Sequence, residues 1–456
     1  MKILVLNSGS SSQKASLYEV GATLPDHPPA CLWEGTVEFG TGIAAIAVKN
    51  SQGLARKEQI QFSSRKQVVR RVLSTLTDGK LRVLDSLSEI DAVGHRVVHG
   101  GPYFAEPVAV TSAVRSTIAS VSPLAPLHIP AEIEGMEIVE SILGSVPQLA
   151  AFDTGFHQQM PLAAAIYPGP YDWFERGIRR YGFHGINHKY CAGRAAQLLG
   201  QDPASLRVVT CHLGNGCSVT AIHGGRSLDT TMGFTPLEGL MMGTRSGGVD
   251  PGILLYLMRE GQLDAHEMER VLNHESGLLG ISGLSSHMRE ILAAIERGND
   301  RAKLAFDIFV HRVRSAIGSM AAVMGGIDSL VFTAGIGENS PDVRAAACSG
   351  LEFLGIKLDR DKNVPRALNV DISTADSRVR VLVIRGRLGD CGGMLEACRR
   401  RSICKYTNLR RHRRLYVNRG DGACHLPSSR HPPSPAVVKF LVRSQGGARF
   451  ASCKSV

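Results

Sequence analysis

The chain has 456 residues, 43% of them hydrophobic and 5% aromatic, enough to bury a large core and to divide into two or more domains. Its net charge of +11 is unevenly placed: residues 385–456 hold 13 Arg and 3 Lys against 2 Asp and 1 Glu, a net of +13, so the preceding 384 residues carry −2 and lack the electrostatic footprint of a nucleic-acid binder. No apolar run approaches the length of a membrane span, and the opening MKILVLNSGSSS has an apolar stretch of only four residues, far short of a secretory h-region, which makes the cytoplasm the expected compartment.

Residues 2–6, KILVL, read as a buried strand, followed by a small polar turn from Asn7 and a second strand over Ala15 to Val20. Asp91 to Gly101, DAVGHRVVHGG, is a strand that carries Arg96 into a glycine turn. In LAPLHIP, His128 stands just ahead of a helix opened by Pro130. LAAFDTGFH is an apolar strand ending in Asp153. In RYGFHGINH, His184 precedes Asn187, the expected N-cap of a helix running to Gly200, so His184 lies near the positive end of that helix.

The strand–turn–strand pattern returns at 208–222, VVTCHLGNGCSVTAI, with Gly214, Asn215 and Gly216 as the turn, and suggests an internal duplication with one hairpin per domain. Such turns expose successive backbone N–H groups that can cradle phosphate oxygens, although Asn-Gly is also the ordinary hairpin turn. TPLEGLMMGTRSGGVD then sets a single arginine, Arg245, among small residues, as an anion site requires. Lys303 to Met324 has a helical apolar stripe at 304, 308, 309, 313, 316, 317, 320 and 324, stopped by Gly325 and Gly326. SLVFTAGIGENS follows as a buried strand, a glycine loop and the start of a further helix, an α/β crossover with a ligand loop at the strand's carboxyl end. There is no G-x4-G-K-[ST] and no G-x-G-x-x-G. Nor does any cysteine pair have C-x2-C spacing, so the 10 cysteines read as free thiols.

Two arginines, two histidines and an aspartate, all at strand ends beside glycine turns, make a site more plausible than a set of isolated caps. These stretches resemble the acetate kinase family: LNSGSSSxK and TPLEGLMMGTRSG match its two signatures, and GHRVVHGG, FDTGFH, RYGFHGxxH, HLGNG and AGIGEN follow in the family's order, from residue 1 to about 384. The resemblance implies an α/β, two-domain actin-like ATPase fold of duplicated ribonuclease H-like domains with nucleotide in the interdomain cleft. The expected division is 1–150, 151–384 and a basic tail at 385–456.

It further implies reversible transfer of the ATP γ-phosphoryl group to acetate, with Mg²⁺ or Mn²⁺, in a homodimer. Asp153, His184, Arg245 and Arg96 become the catalytic set. Arg96, Val98, Leu127, His128, Phe183 and Pro236 become the acid site, and Asn7 the residue nearest the metal. Lys14, His212, Leu213, Gly214, Asn215, Gly216, His287, Met288, Arg289, Gly335, Ile336, Gly337, Glu338 and Asn339 become the nucleotide site. The alternatives are a propionate or butyrate kinase, an impaired remnant, and a nucleotide-dependent switch or structural protein like actin, which would need no acid site.

The chain departs from the family's pattern twice. His287 stands where the family usually has aspartate, and after Ile384 the sequence turns to RGRLGDCGGMLEACRRR, with no glutamate where the family places a metal ligand. One reading of the tail is a basic disordered extension able to touch nucleic acid or anionic lipid; the preferred one, given the abrupt rise in Arg and Cys without helical periodicity, is out-of-frame translation after a one-base insertion or deletion near codon 384. Resequencing the 3′ end of the gene tests this.

Overall fold

The computed structural model describes residues 1–21 and 29–386. The expected tail therefore lies outside the described residues except for Arg385 and Gly386. Among the described residues the strands form two sheets.

The first sheet has eight strands: β1 (Lys2–Ser8), β2 (Ser12–Glu19), β3 (Cys31–Phe39), β4 (Ile43–Asn50), β5 (Ala55–Gln61), β6 (Ile90–Val97), β7 (Val108–Ala109) and β8 (Gln148–Phe152), in the order β5-β4-β3-β2-β1-β6-β8-β7. β1 to β5 form an antiparallel meander, whereas β6 lies parallel to β1 and β8 parallel to β6. The KILVL run becomes a central strand because both of its faces are covered. Leu4 and Leu6 pack with Leu17, Trp33 and Val69, while Ile3 and Val5 pack with Ala92, Leu149 and Ile186.

The second sheet repeats the plan with six strands: β9 (Arg207–Leu213), β10 (Cys217–His223), β11 (Arg226–Thr230), β12 (Ser329–Thr333), β13 (Val370–Asp371) and β14 (Arg380–Val383), in the order β11-β10-β9-β12-β14-β13. Three antiparallel strands, against five in the first sheet, are followed by two parallel ones, β12 beside β9 and β14 beside β12. Each sheet thus places the turn of its first hairpin at the carboxyl end of its parallel strands, where α/β folds bind ligands.

The predicted long helix spans Asp300–Val323, capped by the Asn299 side chain and followed by Gly325 and Gly326 at φ 65 and 135. Phe309, Val313, Ile317 and Met320 of the expected stripe are buried. The amino-terminal turns differ: Leu304 is exposed, and Ala302 and Ala305 take the inward positions. The 3.6-residue period is right there, but the small residues fit the close packing and the leucine does not.

Two further boundaries differ from expectation. The helix spans Gly185–Leu199 with Gly200 as its C-cap, the expected end, but it begins earlier than expected, with His184, not Asn187, in the N-cap position. Asn187 is fully buried within the first turn, where its side chain serves other partners. The AGIGEN stretch is the short helix Ala334–Asn339 and not an open loop. The buried Arg344 explains its stability, donating to the carbonyls of Gly337 and Glu338 at 2.8 and 3.0 Å and so capping the helix's carboxyl end.

Candidate active site

At the carboxyl ends of three neighbouring parallel strands lie Asn7, Arg96 and Asp153. Asn7 of β1 pairs in register with Arg96 of β6, and the Asp153 backbone N–H, just past β8, donates to Val97 O at 2.9 Å. The Arg96 guanidinium donates from Nε to Asp153 Oδ1 at 3.0 Å, from Nη2 to Asp153 Oδ2, and from Nη1 to Asn7 Oδ1 at 3.3 Å. Asp153 is 1% exposed, and the two-pronged pair sets the Arg96 guanidinium against its enclosed carboxylate. Lys14 lies across the β1–β2 hairpin from Asn7, with its side chain exposed.

The second sheet supplies a group of imidazoles. His212, next to last in β9, lies in register with Thr333 of β12. The His184 ring stacks on His212 with centroids 3.9 Å apart and planes 14° from parallel. His184 holds a left-handed backbone at φ 59 at the head of its helix, uncommon for a residue with a side chain. Its Nδ1 lies 2.8 Å from Ser218 Oγ, and His212 Nδ1 lies 3.1 Å from Asn187 Oδ1. Burial pushes the His184 imidazole well below the ordinary histidine range, and the neighbouring His212, Arg96, His188 and Arg245 add to that effect. Burial likewise holds His212 down to about 4.

Arg245 enters from the small-residue loop, anchored by donation from Nη1 to Pro236 O at 2.6 Å. That loop closes over the Gly214–Gly216 turn because Gly243 has no side chain. Its N–H donates to Asn215 O at 3.0 Å, and a Cβ there would stand 1.9 Å from Asn215 Oδ1. Gly216 marks where the elements meet: a Cβ on it would lie 3.2 Å from Arg245 Nη2 and 3.5 Å from His184 Nε2. Burial lowers His128, and the charges of Arg96 and Arg245 lower it further, with Asp153 acting in the opposite sense. The two arginines, His128 and His184 therefore share one electrostatic neighbourhood.

The remaining candidates divide. Val98 and Phe183 are buried in one apolar cluster, Pro236 anchors Arg245, and Leu127 is 61% exposed at the rim. Gly214 lies against the AGIGEN helix, since a Cβ on it would be 3.7 Å from Ala334 Cβ. The 285–289 stretch adjoins the same turn, with Ser286 O 3.1 Å from a Cβ built on Gly243. Met288 is buried while His287 and Arg289 are exposed. Sequence reasoning missed Ser218, Arg344 and Arg180, the last donating to the carbonyls of Thr230, Thr231 and Met232 and to Glu238. It also gave His188 no role, although the four-residue spacing from His184 puts both rings on one helix face.

Asn7 and Asp153 offer only oxygen donors, which suits a hard cation that takes one or two protein ligands and completes its shell with water and phosphate oxygens. Among the described residues no cluster of three His, Cys, Asp or Glu side chains could hold a metal alone, and no helix is long and apolar enough to cross a membrane.

The fold and site define a phosphotransferase of the two-domain actin-like ATPase class. The acetokinase family model matches residues 2–387. An acetate kinase of Cyanothece is 56% identical over 386 residues, 84% of this chain and 95% of that protein, and one of Trichormus variabilis is 57% identical over 387 residues, 84% of this chain and 96% of that protein. The crystal structure of Porphyromonas gingivalis acetate kinase superposes with a TM-score of 0.81 at 41% identity, covering 87% of this chain and 99% of that one. A propionate kinase from Francisella tularensis gives 0.78 at 39% identity, with the same coverage. The chain belongs to the acetokinase family.

Proposed function

We propose that the chain transfers the γ-phosphoryl group of ATP to acetate, giving acetyl phosphate and ADP, and catalyses the reverse reaction. The observation that carries this reading is the meeting of Arg245 Nη2 and His184 Nε2 beside Gly216, in the same field as Arg96. A carboxylate and a polyphosphate repel one another, so the work of the site is to neutralise both and hold them in line. Arg96, oriented by Asp153, clamps the acetate carboxylate. Val98, Phe183 and Pro236 surround the methyl group, with Leu127 at the open edge and His128 alongside.

His184 and Arg245 grip the phosphoryl group in flight. The Gly214–Gly216 turn, with His212 and Leu213 behind it, faces the phosphates together with Lys14. Residues 287–289 and Gly335 to Asn339 take the nucleoside. Asn7, supported by Asp153, would hold Mg²⁺ or Mn²⁺, which when bound would supply charge neutralisation of the phosphates. No covalent intermediate on the protein is needed.

We assign residues 1–150 and 151–384 to the two domains, supported by a first sheet drawn from residues up to Phe152 and a second from Arg207 onward. The working form is a cytoplasmic homodimer. The dimer is supported by the helix Pro251–Arg259, which buries no residue and exposes Ile253, Leu255 and Tyr256 at 49%, 61% and 52%.

Propionate is the second candidate acid, favoured by the likeness to the Francisella enzyme. One methylene changes binding by only about 1–3 kcal/mol. Comparing kcat/KM for acetate, propionate and butyrate tests the assignment: acetate is expected to give the largest value, and a larger value for propionate overturns it.

A further inference from the structure

Behind His184 runs a line of buried polar contacts that the reaction itself does not require. Ser218 Oγ lies 2.8 Å from His184 Nδ1 and 2.7 Å from His188 Nε2, and His188 Nδ1 lies 2.6 Å from Thr210 Oγ1. Thr210, His188 and Ser218 are each fully buried. Burial keeps both imidazoles neutral, so each ring carries one N–H and one lone pair.

A serine hydroxyl has one proton and two lone pairs, and Ser218 Oγ has no hydrogen-bond partner but the two rings among the described residues, so accepting from both would leave its proton buried and unpaired; it therefore donates to one ring and accepts from the other. Only two arrangements keep that proton bonded and satisfy every contact between Thr210 and His184, and they run in opposite directions. Thr210 decides between them. Its Oγ1 has no other hydrogen-bond partner among the described residues, so unless it donates to His188 Nδ1 its own proton is left buried and unpaired. That omission leaves a desolvated donor with nothing to replace its lost water. The favoured direction is therefore Thr210 O–H to His188 Nδ1, His188 Nε2–H to Ser218 Oγ, and Ser218 O–H to His184 Nδ1.

We propose that Thr210, His188 and Ser218 form a directed hydrogen-bond relay that fixes His184 as the Nε2–H tautomer, making it a donor on the side where Arg245 Nη2 also stands. For the role in phosphoryl transfer this rests on the reading above, because a lone pair at Nε2 would repel the anion that an N–H attracts. The three are positioning residues, acting through His184. The stacked His212 is not part of the relay: its Nδ1 faces the Asn187 carbonyl oxygen and so carries the proton.

The test is ¹⁵N NMR of histidine-labelled full-length protein without ligands, with the His184 signal assigned by its loss in His184→Gln. The expected result is a protonated Nε2 and an unprotonated Nδ1. Ser218→Ala and Thr210→Val should each produce a tautomer mixture at His184 and lower kcat about 10- to 100-fold with KM for acetate and ATP unchanged. Ser218→Thr, which keeps the hydroxyl, should restore both.

A wild-type His184 protonated at Nδ1 overturns the relay, as does either hydroxyl deletion leaving the tautomer and kcat as they were. Should Ser218→Ala fail to fold, the wild-type spectrum and Thr210→Val decide. Because the tautomer is read without substrate, absence of acetyl phosphate synthesis would strike the proposed reaction and leave the relay measurement standing.

Discussion

Arg96 and Asp153 stand at the ends of adjacent strands, 57 residues apart in sequence, and form a two-pronged ion pair in which the aspartate is almost wholly enclosed. The pair both builds and stiffens the site. Arg96→Ala leaves a buried carboxylate without its cation and is expected to lose about 3–5 kcal/mol of stability as well as acid binding. Asp153→Asn keeps the shape and removes the charge, so it should cost less stability while still loosening Arg96. Urea midpoints for the two variants, read beside their acetate KM values, separate these effects. Equal stability losses would show that the charge is not what matters.

Arg245 is expected to behave differently. Its guanidinium is held by Pro236 O and stands beside His184. Arg245→Ala should lower kcat by about 10²–10³ while acetate KM moves little, because its charge matters most once the phosphoryl group lies between the partners. Steady-state kinetics with acetate varied checks this. A raised acetate KM with unchanged kcat would assign Arg245 to ground-state binding.

His287 occupies the N-cap position of the helix Met288–Glu296 in extended conformation, and its side chain caps no N–H. His287→Asp should add the missing acceptor and raise stability by about 0.5–2 kcal/mol. Thermal unfolding with and without ADP measures it. If the carboxylate also meets the nucleoside, the ADP-induced shift grows.

The acid limb of stability follows from buried rings. Burial lowers His95, His157 and His212 to about 4 from 6.5. Between those values the unfolded chain binds protons that the folded chain does not, so stability should fall as the pH drops from about 6.5 towards 4. Glu132 acts in the opposite direction: burial raises it to about 8 from 4.5, and the stability it contributes as a neutral acid is lost as the pH rises through that interval. Glu132→Gln should therefore gain on the wild type as the pH rises, reaching about 1–3 kcal/mol near neutrality. Denaturant midpoints from about pH 5 to pH 8 show whether the difference widens with pH.

What the sequence made legible was the local chemistry of turns and strands. KILVL, the two hairpins, the Gly325 stop and the strand-end positions of Arg96 and Asp153 all follow from periodicity and turn residues. What stayed hidden depends on partners distant in the chain. Asn187 looks like a cap until His212 and Gly386 are seen to need its amide. AGIGEN looks like a loop until Arg344 satisfies its carbonyls. Ser218 is one small polar residue in a β-strand, and only the fold brings two imidazoles to its hydroxyl.

The abrupt change after Ile384 adds a separate expectation. Family similarity ends at residue 387, and Gly386 is already packed against Asn187 and Glu338. Should resequencing reveal a shifted frame, the corrected protein is expected to regain the family's glutamate and to outperform the present chain at limiting Mg²⁺. An uninterrupted frame encoding this tail removes that explanation.

The most direct measurement is trapping of acetyl phosphate with hydroxylamine, using the full chain, acetate, ATP and Mg²⁺, with Arg245→Ala alongside. The account predicts acetohydroxamate formation that requires both substrates and drops sharply in the variant. Wild-type protein that binds ADP but yields no hydroxamate above the enzyme-free control would contradict it.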